Sequence, residues 1–220
     1  LVFILFFLFF NERSIMERKD SLQIKLIFED MMTVASNRSF LVYSLTGGLM
    51  LSGLIVFLSV SATIIIAAYG VPANIYGFLF ASVSLSFLFG TLVGSRLVTK
   101  IGVKRVIKCG VLFGFFGGGL MVLLATLEIR AAYAVIVPMW IFMFGYAFVG
   151  PNTVAGALQP FPNISGTASS LTNFIQGIIG VTVSFVVSFF PQNDARVLAI
   201  TLFFLGFAAV LSIRLKLYKS

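Results

Sequence analysis

The sequence predicts an all-α membrane protein with six transmembrane helices, on the evidence of its composition, its long uncharged stretches and the distribution of its basic residues. Of its 220 residues, 60% are hydrophobic and only 10% are charged. The mean hydropathy of +1.10 is far above that of soluble domains, so lipid is the expected solvent. The net charge of +8 does not indicate a nucleic-acid partner, because the basic residues interrupt apolar runs and form no single solvated patch.

Charged residues divide the chain into stretches whose lengths give the number of spans. A helix needs about 20 apolar residues to cross the hydrocarbon core of a bilayer. The uncharged stretches 39–95 and 131–193 are each long enough for two spans, whereas 109–127 and 197–213 each fit one. The predicted helices are 40–69, 74–95, 106–127, 132–150, 163–190 and 195–213.

Turn-forming residues separate the two spans within each long stretch. The run Gly70-Val71-Pro72-Ala73-Asn74 predicts a tight turn between the first and second spans. Three prolines and an asparagine interrupt the helical pattern after residue 150, so we expect the fourth helix to end there. These helix-end residues are Pro151, Asn152, Pro160 and Pro162.

Basic residues concentrate in the segments that would lie on one side of the membrane. If the chain enters its first span from the cytoplasm, every Lys and Arg except Arg130 and Arg196 falls on the cytoplasmic side. Such a bias is typical of cytoplasmic loops. We therefore expect a multi-pass protein whose linker and C-terminus are cytoplasmic.

The chain divides into four segments. Residues 1–10 form an apolar run that is too short to span, with no basic segment before it as a signal peptide would have, and we interpret it as the tail of a truncated transmembrane helix. Residues 11–39 mix acidic and basic side chains and predict a cytoplasmic linker between two membrane halves. Residues 40–213 form the six-helix bundle, and 214–220 form a cytoplasmic tail.

Several runs carry a more specific pattern. The stretch GYAFVGPNTVAGALQPFP at 145–162, with GTASSL at 166–171 and NFIQ at 173–176, resembles the tenth and eleventh helices of the bicyclomycin and chloramphenicol resistance (Bcr/CflA) branch of the major facilitator superfamily. The seventh and eighth helices of that family, and the loop after them, resemble YGV at 69–71, YGFLFA at 76–81, SRLV at 95–98 and IGVKR at 101–105. The resemblance covers residues 40–213.

This resemblance implies the C-terminal half of a twelve-helix transporter, built from two inverted three-helix repeats and lacking its N-terminal six-helix half. It implies proton-coupled antiport that exports drugs or other amphipathic small molecules across the bacterial inner membrane by alternating access. The proton gradient would be the driving force, and no cofactor is expected. Two alternatives stay open: a facilitator-type carrier of sugars or metabolites, and an inactive half-transporter remnant.

Candidate substrate-cavity residues come from three of the spans. The fifth span carries one small and polar stripe at spacings of three and four: Gly166, Ser169, Asn173, Gln176, Gly180 and Ser184. Close helix packing is one explanation of this stripe. We also expect Asn173 and Gln176 to face a central cavity and to hydrogen-bond substrate. An aromatic, weakly polar cavity suits amphipathic molecules, and its further candidates are Tyr43, Phe57, Ser61 and Tyr146.

The resemblance also implies a conformational loop after the second span, which would latch neighbouring helix ends during transport. Its candidate residues are Gly90, Arg96, Gly102, Lys104 and Arg105. Val98 and Thr99 stand near the position where the family's loop has an acidic residue. The alternative is a basic cytoplasmic turn that follows the positive-inside bias.

Ionisable groups are missing where chemistry or proton coupling would need them. The seven carboxylates all lie in predicted loops or at their edges, and the chain contains no His. Proton coupling normally uses an ionisable group inside the bundle, so we expect that group in the missing N-terminal half. No nucleophile with an adjacent base and no metal-ligand cluster is evident, so we predict no catalytic residues, no metal and no enzyme activity.

Overall fold

The computed structural model describes residues 24–214, and helices account for nearly all of them. In chain order they are α1 (Ile24–Ala35), α2 (Arg38–Ala62, continued by a π-helical segment, Thr63–Ala68), α3 (Ala73–Ile101), α4 (Val103–Thr126), α5 (Tyr133–Leu158), α6 (Ser165–Ser188, preceded by a 3-10 turn, Pro162–Ile164) and α7 (Arg196–Arg214). Within the described range, six helices, α2 to α7, are long and apolar enough to cross a membrane. This confirms the predicted all-α architecture. The predicted truncated helix at 1–10, linker residues 11–23 and tail residues 215–220 lie outside the described residues.

The end of the predicted linker is a helix that leads into the first span. Asn37 separates α1 from α2, and its side-chain oxygen accepts hydrogen bonds from the backbone N–H groups of Ser39 and Phe40, at 2.9 and 3.1 Å. Such a cap satisfies N–H groups that have no partner within the helix. Val34 of α1 is buried in a small apolar cluster with Phe40 and Phe161, so α1 packs onto the bundle.

The six spans form two three-helix units with matching contacts. Helix α2 of the first unit packs against α6 of the second, and α5 of the second packs in the same way against α3 of the first. Likewise, α4 packs against α5, and α7 packs against α2. Exchanging α2–α4 with α5–α7 therefore preserves the contact pattern. Because each unit has three helices, α2 and α5 cross in opposite directions, which is the arrangement of an inverted repeat. Helices α2 and α5 are the most buried spans, and α3 and α6 are the least.

Small residues allow the central helices to approach closely. A Cβ atom on Gly110 of α4 or on Gly145 of α5 would overlap the carbonyl oxygen of the other residue. Gly118 of α4 meets the backbone of Phe203 in α7 in the same way. The glycines of the third predicted span thus serve helix packing, as small residues commonly do between membrane helices.

Two predicted helix ends were wrong. Helix α3 continues past residue 95 to Ile101, because the long side chains of Arg96 and Lys100 can extend from the helix to polar surroundings. Helix α5 continues through Pro151 and Asn152 to Leu158. Proline removes a backbone donor, but membrane helices tolerate it where neighbouring groups satisfy the backbone.

Two side chains that follow Pro151 hydrogen-bond to carbonyls of the preceding turn. The Asn152 Nδ2 atom donates to the carbonyl of Phe148 at 2.8 Å, and the Thr153 hydroxyl donates to the carbonyl of Gly150 at 2.9 Å. Pro160 then lies in the turn after α5, and Pro162 begins the 3-10 turn before α6. Only these last two prolines mark the helix end.

The two ends of the bundle differ in charge. One end, the basic end, carries Arg38, Arg96, Lys100, Lys104, Arg105, Lys108 and Arg214. The other end, the mixed end, carries Glu128, Arg130, Asp194 and Arg196. At the mixed end, Arg196 Nη2 lies 2.6 Å from Glu128 Oε1, and the Ala195 N–H donates to the Tyr69 hydroxyl at 3.2 Å. Burial raises the pKa of Tyr69, so this hydroxyl is neutral at physiological pH.

Candidate substrate site

Polar groups from three helices converge inside the bundle, towards its basic end. Gln176 of α6 places its amide over Gly47 of α2, and Thr153 of α5 places its hydroxyl over the same glycine. Ser44 lies one helical turn before Gly47 on α2 and is fully buried. We call Ser44, Gly47, Thr153 and Gln176 the Gln176 cluster. It lies where α2, the helix with the most buried polar residues among the described spans, meets α5 and α6.

The Gln176 cluster contains polar atoms without partners. The Gln176 side chain is buried, with only 7% of the residue exposed. Among the described residues, neither the Gln176 Nε2 atom nor the Ser44 hydroxyl has a hydrogen-bond partner. A buried polar group without a partner destabilises a fold by about 1–3 kcal/mol. Such groups are therefore uncommon, and within a membrane bundle they mark sites where another polar group can bind.

Glycines of α2 create the space that the amide occupies. A Cβ atom at Gly47 would overlap both the Gln176 amide and the Thr153 hydroxyl. A Cβ atom at Gly48 would be 2.8 Å from Ile179 and 3.2 Å from the Gln176 Cα. The pair Gly47-Gly48 therefore lets α6 approach α2 closely enough for a long polar side chain to reach the interior.

Three other predicted cavity residues lie around this region, on separate helices. Tyr43 of α2 is half-buried, and its ring lies over Gly156 of α5. Tyr146 of α5 packs on Phe87 of α3, with ring centroids 5.6 Å apart. Asn173 is exposed on α6, next to the exposed Phe174. Asn173 thus faces away from the bundle interior, whereas Gln176, three residues later, faces into it.

The remaining two predicted cavity residues lie elsewhere. Phe57 is fully buried and stacks on Phe80 of α3, with ring centroids 6.1 Å apart. Ser61 is also fully buried, and its hydroxyl shares a 2.8 Å hydrogen bond with the hydroxyl of Tyr76. Both side chains therefore join α2 to α3 near the mixed end, and neither lines an opening in this conformation.

The predicted conformational loop is reduced to a single residue. Gly102 joins α3 to α4 with φ 82° and ψ 157°, a conformation that is essentially confined to glycine. Arg96, Lys104 and Arg105 are exposed on the helices that flank it. Gly90, by contrast, lies within α3, where a Cβ atom would overlap Ala147 and Phe144 of α5.

Two grooves run beside α6. One, of about 550 Å³, lies near the basic end between α1 and α6 and is lined by apolar and small residues such as Ile27, Met31 and Phe174. The other, of about 440 Å³, lies between α2 and α6 towards the mixed end and is lined in part by serines and Gln192. The Gln176 cluster lies between the two grooves along the contact of α2 with α6.

Sequence reasoning missed Ser44, Thr153 and Gln192. Ser44 and Thr153 are isolated polar residues in apolar spans, and helix packing alone would explain them equally well from sequence. Gln192 follows α6 in a predicted loop, where a polar residue is ordinary. Only the packing of α2, α5 and α6 shows that these side chains reach buried surroundings.

Comparison with curated proteins finds relatives whose names refer to drug resistance. The chain is 26% identical to a bicyclomycin resistance protein homolog of Haemophilus influenzae over 204 residues, which cover 90% of this chain and 48% of that protein. It is 30% identical to a chloramphenicol resistance protein of Pseudomonas aeruginosa, over 71% of this chain and 38% of the relative. It is 26% identical to multidrug resistance protein D of Escherichia coli, over 81% of this chain and 45% of the relative.

The chain spans about half the length, or less, of the curated relatives it matches. No family model matches the sequence. The names of the three relatives nevertheless agree in kind, since all three refer to drug resistance. The chain is therefore a relative of the drug efflux transporters of the major facilitator superfamily, of the bicyclomycin and chloramphenicol resistance type that its motifs resemble.

Proposed function

We propose that this chain forms the C-terminal half of a transporter that exports amphipathic small molecules, including drugs, by alternating access. The observation that supports this proposal most strongly is the buried, unpartnered amide of Gln176 at the meeting point of α2, α5 and α6. Transporter sites commonly lie at the interface between helical repeats, and these three helices come from both repeats. A single amide among apolar side chains suits a ligand that is bound mainly by apolar burial.

The charge of the two ends supports an orientation for the bundle. The basic end would face the cytoplasm and the mixed end would face outward, following the bias of Lys and Arg towards cytoplasmic loops. In this orientation α2 enters the bacterial inner membrane from the cytoplasm, and α7 ends at the cytoplasmic side. Export then carries a molecule from the basic end, past the Gln176 cluster, to the mixed end.

A second six-helix half would cover the surfaces that this half leaves open. Helices α3 and α6 are the least buried spans, and both expose large apolar side chains such as Phe78, Phe89 and Phe174. A partner half packed against α3 and α6 would enclose a cavity between the halves. Asn173, which is exposed here, would then face that partner or the cavity.

We also propose that export is proton-coupled antiport. Within the described residues, helices α2 to α7 contain no Asp, Glu or His. Proton coupling in a bundle depends on such groups, so the coupling residue belongs to the other half.

The test is an efflux assay with the complete transporter, comparing the unmodified protein with Gln176→Leu and with the matched control Val186→Leu on the same helix. Val186 lies outside the Gln176 cluster, lines neither groove beside α6 and would be replaced by another apolar side chain, so Val186→Leu should leave efflux of a fluorescent amphipathic cation unchanged. Losing one hydrogen bond in the site should reduce the initial efflux rate of Gln176→Leu about three- to tenfold. An uncoupler should abolish efflux by the unmodified protein. Unchanged efflux in Gln176→Leu, or efflux that resists the uncoupler, would contradict the site or the coupling mechanism, respectively.

A further inference from the structure

The groove between α2 and α6 towards the mixed end contains an unusual set of polar groups for a membrane bundle. It has a volume of about 440 Å³, and its lining combines apolar residues such as Ile55 and Phe185 with Ser59, Ser184, Ser188 and Gln192. We call it the Gln192 groove. Polar side chains within a membrane bundle are satisfied either inside the protein or by a bound polar group, so the hydrogen bonds of these residues indicate what the groove can bind.

The serines of the Gln192 groove are partly used within the protein. The hydroxyls of Ser59 and Ser184 share a hydrogen bond of 2.8 Å across the contact of α2 with α6. The Ser188 hydroxyl donates to the carbonyl of Phe185 at 2.7 Å. Each of these oxygens keeps lone-pair capacity for a further donor. The groove therefore presents acceptors to whatever occupies it.

Gln192 is the group that is not satisfied. Its Nε2 atom donates to the carbonyls of Val187 and Phe190, both at 3.0 Å. These two bonds fix the orientation of the amide, so that its Oε1 atom is the remaining acceptor. Among the described residues, Oε1 is buried and has no partner. A donor from a bound molecule would remove the penalty of leaving this oxygen unpaired.

The Gln192 groove lies on the same helix contact as the Gln176 cluster. Along α6, Gln176 and Ser188 are separated by about 18 Å at 1.5 Å per residue. Gly180, whose missing side chain leaves room for Ile55 of α2, lies between them. The groove therefore lies on the mixed-end side of the Gln176 cluster, along the same contact of α2 with α6.

We propose that the Gln192 groove is a second binding subsite on the outward side of the transport path, and this rests on the proposed export function. It takes amphipathic molecules that carry an N–H or O–H donor beside an apolar body. The donor bonds to Gln192 Oε1, and the apolar part packs on Ile55 and Phe185. The groove lining contains no carboxylate, so selection depends on the hydrogen-bond donor and not on positive charge.

Cysteine labelling tests whether the groove is accessible to water and ligand. The complete transporter, with Cys109→Ser and any other native cysteine replaced, would carry either Ser184→Cys in the groove or Val186→Cys as the matched control. Val186 lies on the same membrane span but does not line the groove. Its side chain faces apolar surroundings, where a water-soluble maleimide has little access. A membrane-impermeant maleimide added from outside should react at least tenfold faster with the groove cysteine. Rhodamine 6G, which has N–H donors, should slow that reaction, whereas tetraphenylphosphonium, which has none, should not.

Binding to purified protein in nanodiscs provides the second measurement. Gln192→Leu should weaken rhodamine 6G binding about three- to tenfold, the effect of one hydrogen bond, and leave tetraphenylphosphonium binding unchanged. Equal labelling of the two cysteines, or rhodamine 6G binding that is unaltered by Gln192→Leu, would overturn the groove proposal alone. Failure of the unmodified protein to bind either cation would overturn the proposed function together with it.

Discussion

At the scale of single residues, the candidate site depends on a position that has no side chain. The Gln176 amide can enter the bundle because Gly47 leaves space for it between α2 and α6. The sequence places Gln176 and Asn173 on one polar stripe, but the structure separates them: Gln176 is buried and Asn173 is exposed. A shift of three residues turns a helical side chain by about 60°, and that turn is enough to move it from the interior to the surface.

We expect Gly47→Ala to destabilise the protein and to impair export. The added methyl group would overlap the Gln176 amide and the Thr153 hydroxyl, and overpacking of this kind typically lowers the free energy of unfolding by about 1–3 kcal/mol. The matched control is Gly77→Ala on α3, where a Cβ atom meets nothing within 4 Å. Gly77→Ala should be neutral or stabilising by up to about 1 kcal/mol. Thermal unfolding in detergent measures both, and equal stability of the two variants would argue against a tightly packed Gln176 cluster.

At the scale of helices, the connections decide how the spans are oriented. Helix α5 runs through Pro151 to Leu158, as membrane helices can when neighbouring helices pack around a proline. The turn between α3 and α4 contains only Gly102, whose backbone conformation requires glycine. With such a short turn, α3 ends and α4 begins at the same membrane surface. Both helices pack on α5.

Replacing Gly102 should weaken this connection. Gly102→Ala places a side chain at φ 82°, which we expect to lower the free energy of unfolding by about 1–3 kcal/mol. Gly166→Ala is the matched control, since Gly166 lies in the first turn of α6 and a Cβ atom there meets nothing within 4 Å. A chemical unfolding titration in mixed micelles compares the two. If Gly102→Ala were as stable as Gly166→Ala, the α3–α4 turn would not be under the backbone constraint described here.

At the scale of the whole molecule, the two three-helix units pack against each other. The apolar core between them is formed mainly by side chains of α2, α4, α5 and α7. The exchange of α2–α4 with α5–α7 preserves the contacts between helices, as expected for a bundle that rocks as one body in alternating access. At the mixed end, the Arg196–Glu128 pair and the Tyr69–Ala195 hydrogen bond join three of the connections between spans. These contacts favour movement of the six helices together.

The proposed orientation predicts which side of the membrane each end faces. In a Cys109→Ser background, Arg130→Cys at the mixed end should react with an impermeant maleimide in intact cells. Lys100→Cys at the basic end should react only after the membrane is permeabilised, because Lys and Arg favour cytoplasmic loops. Both residues are exposed, so access within the protein does not limit the reaction. Labelling of Lys100→Cys in intact cells would reverse the orientation.

The sequence by itself determined the class of protein, the number of spans, their approximate bounds and the resemblance to drug efflux transporters. These features follow from hydropathy, charge and local motifs, which depend on residues close together in the chain. It misplaced the end of α5, because proline usually ends a helix, whereas a membrane helix packed among neighbours can continue through one, as α5 does. Only the tertiary structure decided that Phe57 and Ser61 join α2 to α3, and that Thr153 and Gln176 meet at Gly47. The physical reason is that nearly every face of these helices is apolar, so periodicity cannot show which face meets a neighbour and which meets lipid.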